Sequence, residues 1–570
     1  MQRFSVRIVL AFTLCMIASV GSLIMAAPAP QQGGRYTVYL PVMRKGAAVQ
    51  PPTKPSVAGF SANPATIAPG GSTTLRWNVS GATSLRITPT IGAVTGTSVS
   101  ARPAATTTYT LIASNSAGET RATATVTVKA PESVPSGFFT HRDYLMYNAA
   151  TAVDANGGIH LAFNVSDEKH EENPTGEPAL YTYCPGPATA CTDPSKWSTL
   201  VSLTERVTQV QIAVTPDGRP RLLVGRARTD QNWTEYIYFA CEQGCTNVDN
   251  WNGLIIAQPA GIEVFEYDNP QHSFALDSQG RPRFVYANTW GNGEPNAIHY
   301  AYCDAADCTE PGSWSTGDIM KGPEYKTLGL DYASLAFVDD KPRIVSRITL
   351  SGMATDTVYF ECDELECDQD FEWNHVFLPY PGEMLWTNWD LAVSKNGQLR
   401  VALYEPATPD IVVGGKLYYG QCDDRCSAID SWQFTQVTSG EGKNVDLAID
   451  AAGRTHMVYD AGQRGTLGEV WCDSNCTNAA QWQRRILETS EQLQREFAPA
   501  SPLTCDQDQR VWLDAIPSVA FDAQGRLVVA YDVRNVTFCY YTDPNNPGGP
   551  PYQKVQRLWW AVRWAQFPRP

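Results

Sequence analysis

Fourteen of the fifteen cysteines sort into seven consecutive pairs, and six of those pairs are followed by a tryptophan at one fixed step. The six are Cys184/Cys191, Cys241/Cys245, Cys303/Cys308, Cys362/Cys367, Cys422/Cys426 and Cys472/Cys476. Six residues past the second member stand Trp197, Trp251, Trp314, Trp373, Trp432 and Trp482. The gap inside a pair varies while the step to tryptophan does not. Pair and tryptophan therefore belong to one recurring unit, and a recurring unit fixes architecture before any residue propensity is weighed.

Three further parts of the unit can be read. An alternating strand carries a constant alanine: Ala152, Ala213, Ala275, Ala336, Ala392, Ala448 and Ala520. A tight turn follows, as in Asp154–Gly157, Asp277–Gly280, Asp450–Gly453 and Asp522–Gly525, and then a second strand such as Arg283–Tyr286. An aromatic third strand runs into the first cysteine, as in Leu180–Cys184 and Ile298–Cys303, and the tryptophan opens a fourth. Four antiparallel strands per unit of about 60 residues, repeated seven times, predict a seven-bladed β-propeller over residues 138–570. A β-solenoid is the competing arrangement, but its coils are shorter. The alanine suits an innermost strand, where converging blades leave room for a small side chain.

The Asp-x-x-Gly turn after a Ser-x-Ala-x-Asp type of strand resembles the sialidase/BNR-type and NHL-type propeller repeats of bacterial exported proteins. The resemblance spans residues 138–570 and implies a fold, not an activity. The Ser-x-Asp-x-Gly-x-Thr-Trp pattern of a true Asp-box is absent.

Residues 55–130 differ in character, with no cysteine and many Thr, Ser, Val and Gly. Alternation in Thr73–Val79, Ser84–Thr88, Thr107–Ala113 and Ala122–Val128 predicts half-buried strands of a β-sandwich. Pro-Gly-Gly-Ser ahead of Trp77, and Thr107–Gly118 near the end, resemble bacterial immunoglobulin-like modules. That resemblance implies Trp77 as the core residue and Tyr109 at the corner. The fold class is thus all-β: an immunoglobulin-like β-sandwich followed by a disulfide-stapled seven-bladed β-propeller.

Residues 1–27 read as a secretory signal, with Arg3 and Arg7 ahead of an apolar run and then Ala26-Ala27. The run is also long enough for an uncleaved anchor. Residues 28–54 form a Pro/Ala/Gln linker, and Cys15 goes with the signal, leaving an even number of cysteines for an oxidising compartment. A bacterial secreted or cell-surface protein is expected, a monomer, with no membrane insertion beyond the signal segment. The net charge of −16 argues against nucleic acid as a partner, which needs a basic footprint.

Each short pair should bridge the hairpin between third and fourth strands. Zinc is the rival reading for Cys-x3-Cys, but each unit has one pair and no histidine at ligand spacing. No metal site is assigned and no cofactor is expected. Calcium could be held by the acidic stretch Cys362–Asp370, which reads equally as a solvated turn. Cys505 and Cys539 bracket the last unit's first two strands as a seventh disulfide. No fourth strand follows Arg557–Trp564, so residues 138–147 are expected to close the ring.

Loops joining second to third strands, and unit to unit, are the long ones, and propeller geometry puts both on one face. Binding residues concentrate on loops held by a rigid scaffold. That face carries Trp233, Phe265, Tyr267, Trp290, Tyr325, Trp386, Trp389 and Trp512, with carboxylates Asp268, Glu294, Glu324, Asp331, Glu383 and Glu405. Aromatic rings beside carboxylates suit sugars, although many such rings pack blades together. Asp390 and Asp446 start first strands on adjacent units and could face the channel as the acid pair a glycosidase needs. Basic residues three past the turn, His160, Arg221, Arg283, Arg343, Arg400 and His456, recur in rotational register, so they should pair with a neighbouring unit's turn carboxylate rather than converge. No catalytic motif is present. The expected role is non-catalytic recognition of an extracellular glycan or protein. A sialidase-like glycoside hydrolase or lyase, or a structural cell-envelope protein, are the alternatives.

Overall fold

The computed structural model describes residues 53–570 except 68–71, 129–133, 141–143, 168–177, 229–232, 260–271, 288–296, 322–332, 351–353, 365, 380–387, 406–414, 440–443, 462–465, 491, 494–506, 514–515 and 542–551. The chain divides into two units, residues 1–131 and 132–570. The expected signal and nearly all of the linker lie outside the described residues. No helix among the described residues is long and apolar enough to cross a membrane.

The first unit sets a three-stranded sheet (Ser56–Asn63, Thr73–Ser80, Ser98–Ala101) against a five-stranded one that includes Ser84–Thr88, Thr107–Asn115 and Gly118–Val128. Alternation decides which side is covered. Thr73, Leu75 and Trp77 are buried while Arg76 and Asn78 are exposed. Trp77, Ile87, Tyr109, Leu111 and Val126 share one core between the sheets.

The second unit is a propeller-like succession of seven antiparallel sheets, I to VII. Sheet I contains Tyr144–Val153, Ile159–Asp167, Ala179–Cys184 and Val201–Thr204, paired in chain order. Sheets II to VI repeat that order from inner strands Val207–Val214, Phe274–Leu276, Ala333–Val338, Asn388–Val393 and Asp446–Ile449. One apolar cluster fills each junction between successive sheets, and one of the seven joins VII to I through Met146, Ile159, Val528 and Trp564, so the succession closes on itself. The constant alanines lie where expected: Ala213, Ala275, Ala336 and Ala392 each pack on the cluster shared with the following sheet.

Sheet VII departs from the template. Its inner strand Ser518–Phe521 pairs with Leu527–Tyr541, which pairs with Tyr552–Phe567, which pairs with Ser136–Thr140 from the head of the unit. The closing strand is therefore shorter and earlier than residues 138–147, and Tyr144–Val153 opens sheet I instead. Gly137 permits the closure, because a Cβ there would meet Trp564 Nε1 at 2.7 Å. An added strand, Gln507–Leu513, pairs with the far half of Leu527–Tyr541, so Cys539 lies within the second strand rather than after it. Cys505 is outside the described residues.

The six short pairs are disulfides. Closing so short a loop removes only ~2 kcal/mol of unfolded-state entropy, so the benefit is local. The fixed step to tryptophan now has a cause. In every case the indole Nε1 donates to the carbonyl of the second cysteine: Trp197 to Cys191 at 2.8 Å, Trp251 to Cys245 at 2.9 Å, Trp314 to Cys308 at 2.8 Å, Trp373 to Cys367 at 3.2 Å, Trp432 to Cys426 at 2.7 Å and Trp482 to Cys476 at 2.8 Å. Five of these rings also meet, near edge-on, a tyrosine on the third strand of the preceding sheet, in the pairs Tyr181–Trp251, Tyr238–Trp314, Tyr300–Trp373, Tyr359–Trp432 and Tyr419–Trp482. Trp197 meets Trp564 of sheet VII in the same way.

Among the described residues, the basic residues in rotational register form their ion pairs within their own sheet and not with a neighbouring one. Arg221, Arg283 and Arg343 each donate to the carbonyl of their own sheet's first cysteine, at 2.9, 2.8 and 3.0 Å, and pair with the acid just after it, Glu242, Asp304 and Asp363. Arg400 pairs with Asp423. Strand pairing sets this: each arginine lies opposite the residue before its cysteine, within reach of the hairpin corner. The turn aspartates fold their own backbone, since Asp154 Oδ1 accepts from the amides of Asn156 and Gly158, both at 2.8 Å. The left-handed φ of 81° at Gly157 is why glycine ends the turn.

Candidate functional site

The residue two before each constant alanine falls on the innermost strand: Ala150, Gln211, Ser273, Ser334, Asp390, Asp446 and Ser518. These positions build a belt in which one sheet receives a backbone amide of the next. Gln211 Oε1 accepts from Phe274 N (2.9 Å), Ser334 Oγ from Leu391 N (3.0 Å), and Asp390 Oδ2 from Leu447 N (2.8 Å). Asp446 Oδ2 accepts from Val519 N (2.9 Å) and Ser518 Oγ from Thr151 N (2.9 Å). Between III and IV the His272 carbonyl takes Leu335 N at 2.9 Å, and between I and II Asn148 Nδ2 donates to the Thr208 carbonyl at 3.1 Å. Each strand that begins here would otherwise bury an unpaired amide beside its neighbour.

The belt is chemically uneven. At the other belt positions a hydroxyl, an amide or a backbone carbonyl is used, and at the VII–I junction Asp532, from a second strand, takes the Asn148 and Ala149 amides. Among the described residues, V and VI alone supply adjacent carboxylates at the belt position, each with a side chain only 2 % exposed. Ser334 Oγ donates to Asp390 Oδ1 at 2.7 Å. His272, bridged to Ser334, aims Nε2 at both acids, 3.5 Å from Asp446 Oδ2 and 3.8 Å from Asp390 Oδ2. That nitrogen is enclosed and makes no hydrogen bond among the described residues, although the imidazole as a whole is 30 % exposed. His272, Ser334, Asp390 and Asp446 thus converge from four successive sheets, III to VI.

Burial, and then the charge of Asp390 alongside, push the Asp446 carboxyl well above the usual carboxylate range, against the Val519 amide that favours its anion. Ligand atoms of His272, Asp390 and Asp446 lie within 4.8 Å of one another. The Asp390 and Asp446 carboxyls are in hydrogen-bond reach of each other, tighter than the about 5–5.5 Å of a retaining glycosidase and far below the separation of an inverting one. The cluster stands where inner strands start, which is the end of each sheet at which second strands finish and third strands start.

The sequence candidates divide. Asp390 and Asp446 come together as an adjacent pair. Trp389 does not present its ring to a ligand: it is 2 % exposed and packs with Val345, Leu391 and Leu403, because alternation turns it opposite to Asp390. Trp233 is half-buried at the start of a third strand, opposite Arg228, and its indole N–H has no hydrogen-bond partner among the described residues. Glu405 is buried and pairs with Lys416 at 3.4 Å. Trp290, Tyr325 and Trp386 lie outside the described residues, as do Phe265, Tyr267, Asp268, Glu294, Glu324, Asp331 and Glu383. Two members of the cluster were missed. Ser334 shares the register of Asp390 and Asp446, so counting back from the alanine finds it; His272 is off that register and carries no such signal.

No family model matches the chain, and no curated protein does. Solved structures of similar fold include an ulvan lyase of polysaccharide lyase family PL25, at 10 % identity over 69 % of this chain and 92 % of that one, TM-score 0.41. Another is the polysaccharide lyase Uly1, at 10 % identity over 74 % and 90 %, TM-score 0.38. A third is the GH93 α-L-arabinofuranosidase of Fusarium graminearum, at 11 % identity over 62 % and 93 %, TM-score 0.34.

Proposed function

We propose that this is an exported carbohydrate-active protein, a seven-bladed β-propeller behind an immunoglobulin-like module, which acts on a polysaccharide at the long-loop mouth of its channel. The observation that carries the reading is the convergence of His272, Ser334, Asp390 and Asp446 there. Two like charges side by side are costly to bury. Ser518 receives the equivalent strand amide, from Thr151, without charge, so the carboxylates at this position exceed what that amide needs. A carboxyl with shifted ionisation beside a half-exposed imidazole is the equipment of acid–base chemistry. Cleavage of the lyase or hydrolase type follows, though not by Asp390 and Asp446 as a two-carboxylate glycosidase pair, since the two stand in hydrogen-bond reach of each other. The six disulfides fit export to an oxidising compartment.

A second reading, recognition without catalysis, is favoured by one observation: each acid already receives an amide of the next sheet, as a purely structural residue would. The mature protein incubated with a panel of neutral and uronate polysaccharides separates the two when both binding and new chain ends are measured. Cleavage that falls at least about tenfold in His272→Ala, a loss of about 1.4 kcal/mol of transition-state stabilisation, with binding retained, supports the enzyme. Binding with no cleavage of any polymer selects recognition. Neither binding nor cleavage overturns both and leaves a structural part of the cell envelope.

A further inference from the structure

We propose that His272, Asp390 and Asp446 form a binding site for one divalent transition-metal cation, zinc or manganese by donor chemistry, at the mouth of the channel. The cluster is not merely acidic. Its third member is an imidazole whose Nε2 is enclosed, lacks a hydrogen bond among the described residues and points between two carboxylates. Both carboxylates sit on inner strands braced by amides of the following sheet, so their oxygens are held in place before any ion arrives. Ser334 Oγ donates to the far oxygen of Asp390, the outer contact that orients a ligating carboxylate.

The spacing agrees with a small ion. Ligands about 2.0–2.1 Å from a tetrahedral zinc stand roughly 3.3 Å apart, and the histidine-to-carboxylate separations here are 3.5 and 3.8 Å. A modest contraction would close the site. One imidazole nitrogen with two carboxylate oxygens suits zinc or manganese better than calcium, which takes six or more oxygens. Three protein ligands also leave a coordination position open, as catalytic rather than structural zinc sites do. The inference goes beyond the carbohydrate reading, because the site can be titrated with metal alone. Where both hold, the open position faces the mouth that a sugar hydroxyl or carboxylate would reach.

The test is calorimetric titration of chelator-treated mature protein with zinc, manganese and calcium chlorides, together with thermal unfolding in each. One equivalent of zinc or manganese should bind and raise the unfolding midpoint. Loss of an outer contact alone weakens metal sites 10–100-fold, so His272→Ala and Asp446→Asn should weaken binding by about tenfold or more. His272→Ala removes a half-exposed side chain and should fold normally. Ser518→Ala, which removes an uncharged belt position, should bind as the parent does. No binding of any of the three ions, equal binding in His272→Ala and Asp446→Asn, or preference for calcium over zinc would each overturn the proposal. Metal binding in a protein that neither binds nor cleaves a polysaccharide would uphold the site and reject the sugar reading.

Discussion

Sheets I and VI are cut from one pattern and differ at one residue that changes how each meets its neighbour. In sheet I, His160 joins Tyr181 Oη at 2.8 Å to Asp154 at 3.5 Å, and the Tyr181 ring receives Trp251 of sheet II. In sheet VI, His456 occupies the same register and spans Glu469 at 2.7 Å and Asp450 at 3.6 Å. Glu469 stands where the other sheets carry tyrosine, three residues before the first cysteine. No tryptophan comes round to meet it, because the outer strand of sheet VII is the borrowed Ser136–Thr140. Glu469 is held within its own sheet instead, by Arg485 Nε at 2.5 Å. Beside the apolar cluster of this junction His456 meets Phe521 of sheet VII edge-on, while Arg563 of sheet VII reaches Glu488 of sheet VI at 2.6 Å. The aromatic pair is therefore kept or lost as a pair, which marks the tyrosine as a junction residue rather than a binding platform.

The largest effect is expected at the aromatic junction. Trp251→Ala removes a ring 8 % exposed, its edge contact with Tyr181 and the donor to the Cys245 carbonyl. Such truncations cost about 3–5 kcal/mol, read as a lowered urea midpoint with the disulfides intact. A loss below about 1 kcal/mol, the range of a surface site, would mean that the tryptophan merely decorates the hairpin.

Inside sheet VI, Glu469→Gln keeps the shape and removes the charge that His456 and Arg485 share, for an expected loss of about 2–3 kcal/mol. Glu469→Tyr sharpens the contrast. With no tryptophan opposite, the restored tyrosine should be no more stable than the glutamine variant, and full recovery would break the pairing argument. Opening one corner by Cys241→Ser with Cys245→Ser should cost ~2 kcal/mol, less than Trp251→Ala although it removes a covalent bond. Thermal unfolding of the two variants side by side checks that order.

Much of this was legible beforehand because the repeat supplies its own controls. A cysteine pair and a tryptophan at constant offset define the corner, and a constant alanine marks the inner strand. Counting two back from that alanine finds Asp390, Asp446 and Ser334 together. What stayed hidden depends on neighbours in space. His272 is off register, and Trp389 looks exposed in a list of loop residues yet alternation turns it into the core. The arginine partners were misread because their reach is set by cross-strand register, which places each beside its own hairpin corner. The closing strand shifted because Gly137, and not the aromatic run after it, is what fits against Trp564.

The smallest effect concerns the turn aspartates that both sheets share. Burial alone would push the Asp154 carboxyl up, but hydrogen bonds from His160, Gly158, Asn156 and Tyr183 outweigh it and hold the group down at about 2, against an ordinary 3.8. A carboxyl lowered on folding is charged in the native state where the unfolded chain would be protonated. Its contribution is therefore complete above about pH 4 and disappears as the pH falls through 2. Asp450 is lowered too, against its burial, chiefly by the backbone and side chain of Arg454, so sheet VI should lose stability in the same direction. Urea midpoints measured between pH 5 and 2 should fall for the parent and fall less steeply for Asp154→Asn. Parallel slopes would show that the turn is held by its backbone alone, and that the histidine bridge common to the aromatic and ionic sheets carries no charge-dependent part of their stability.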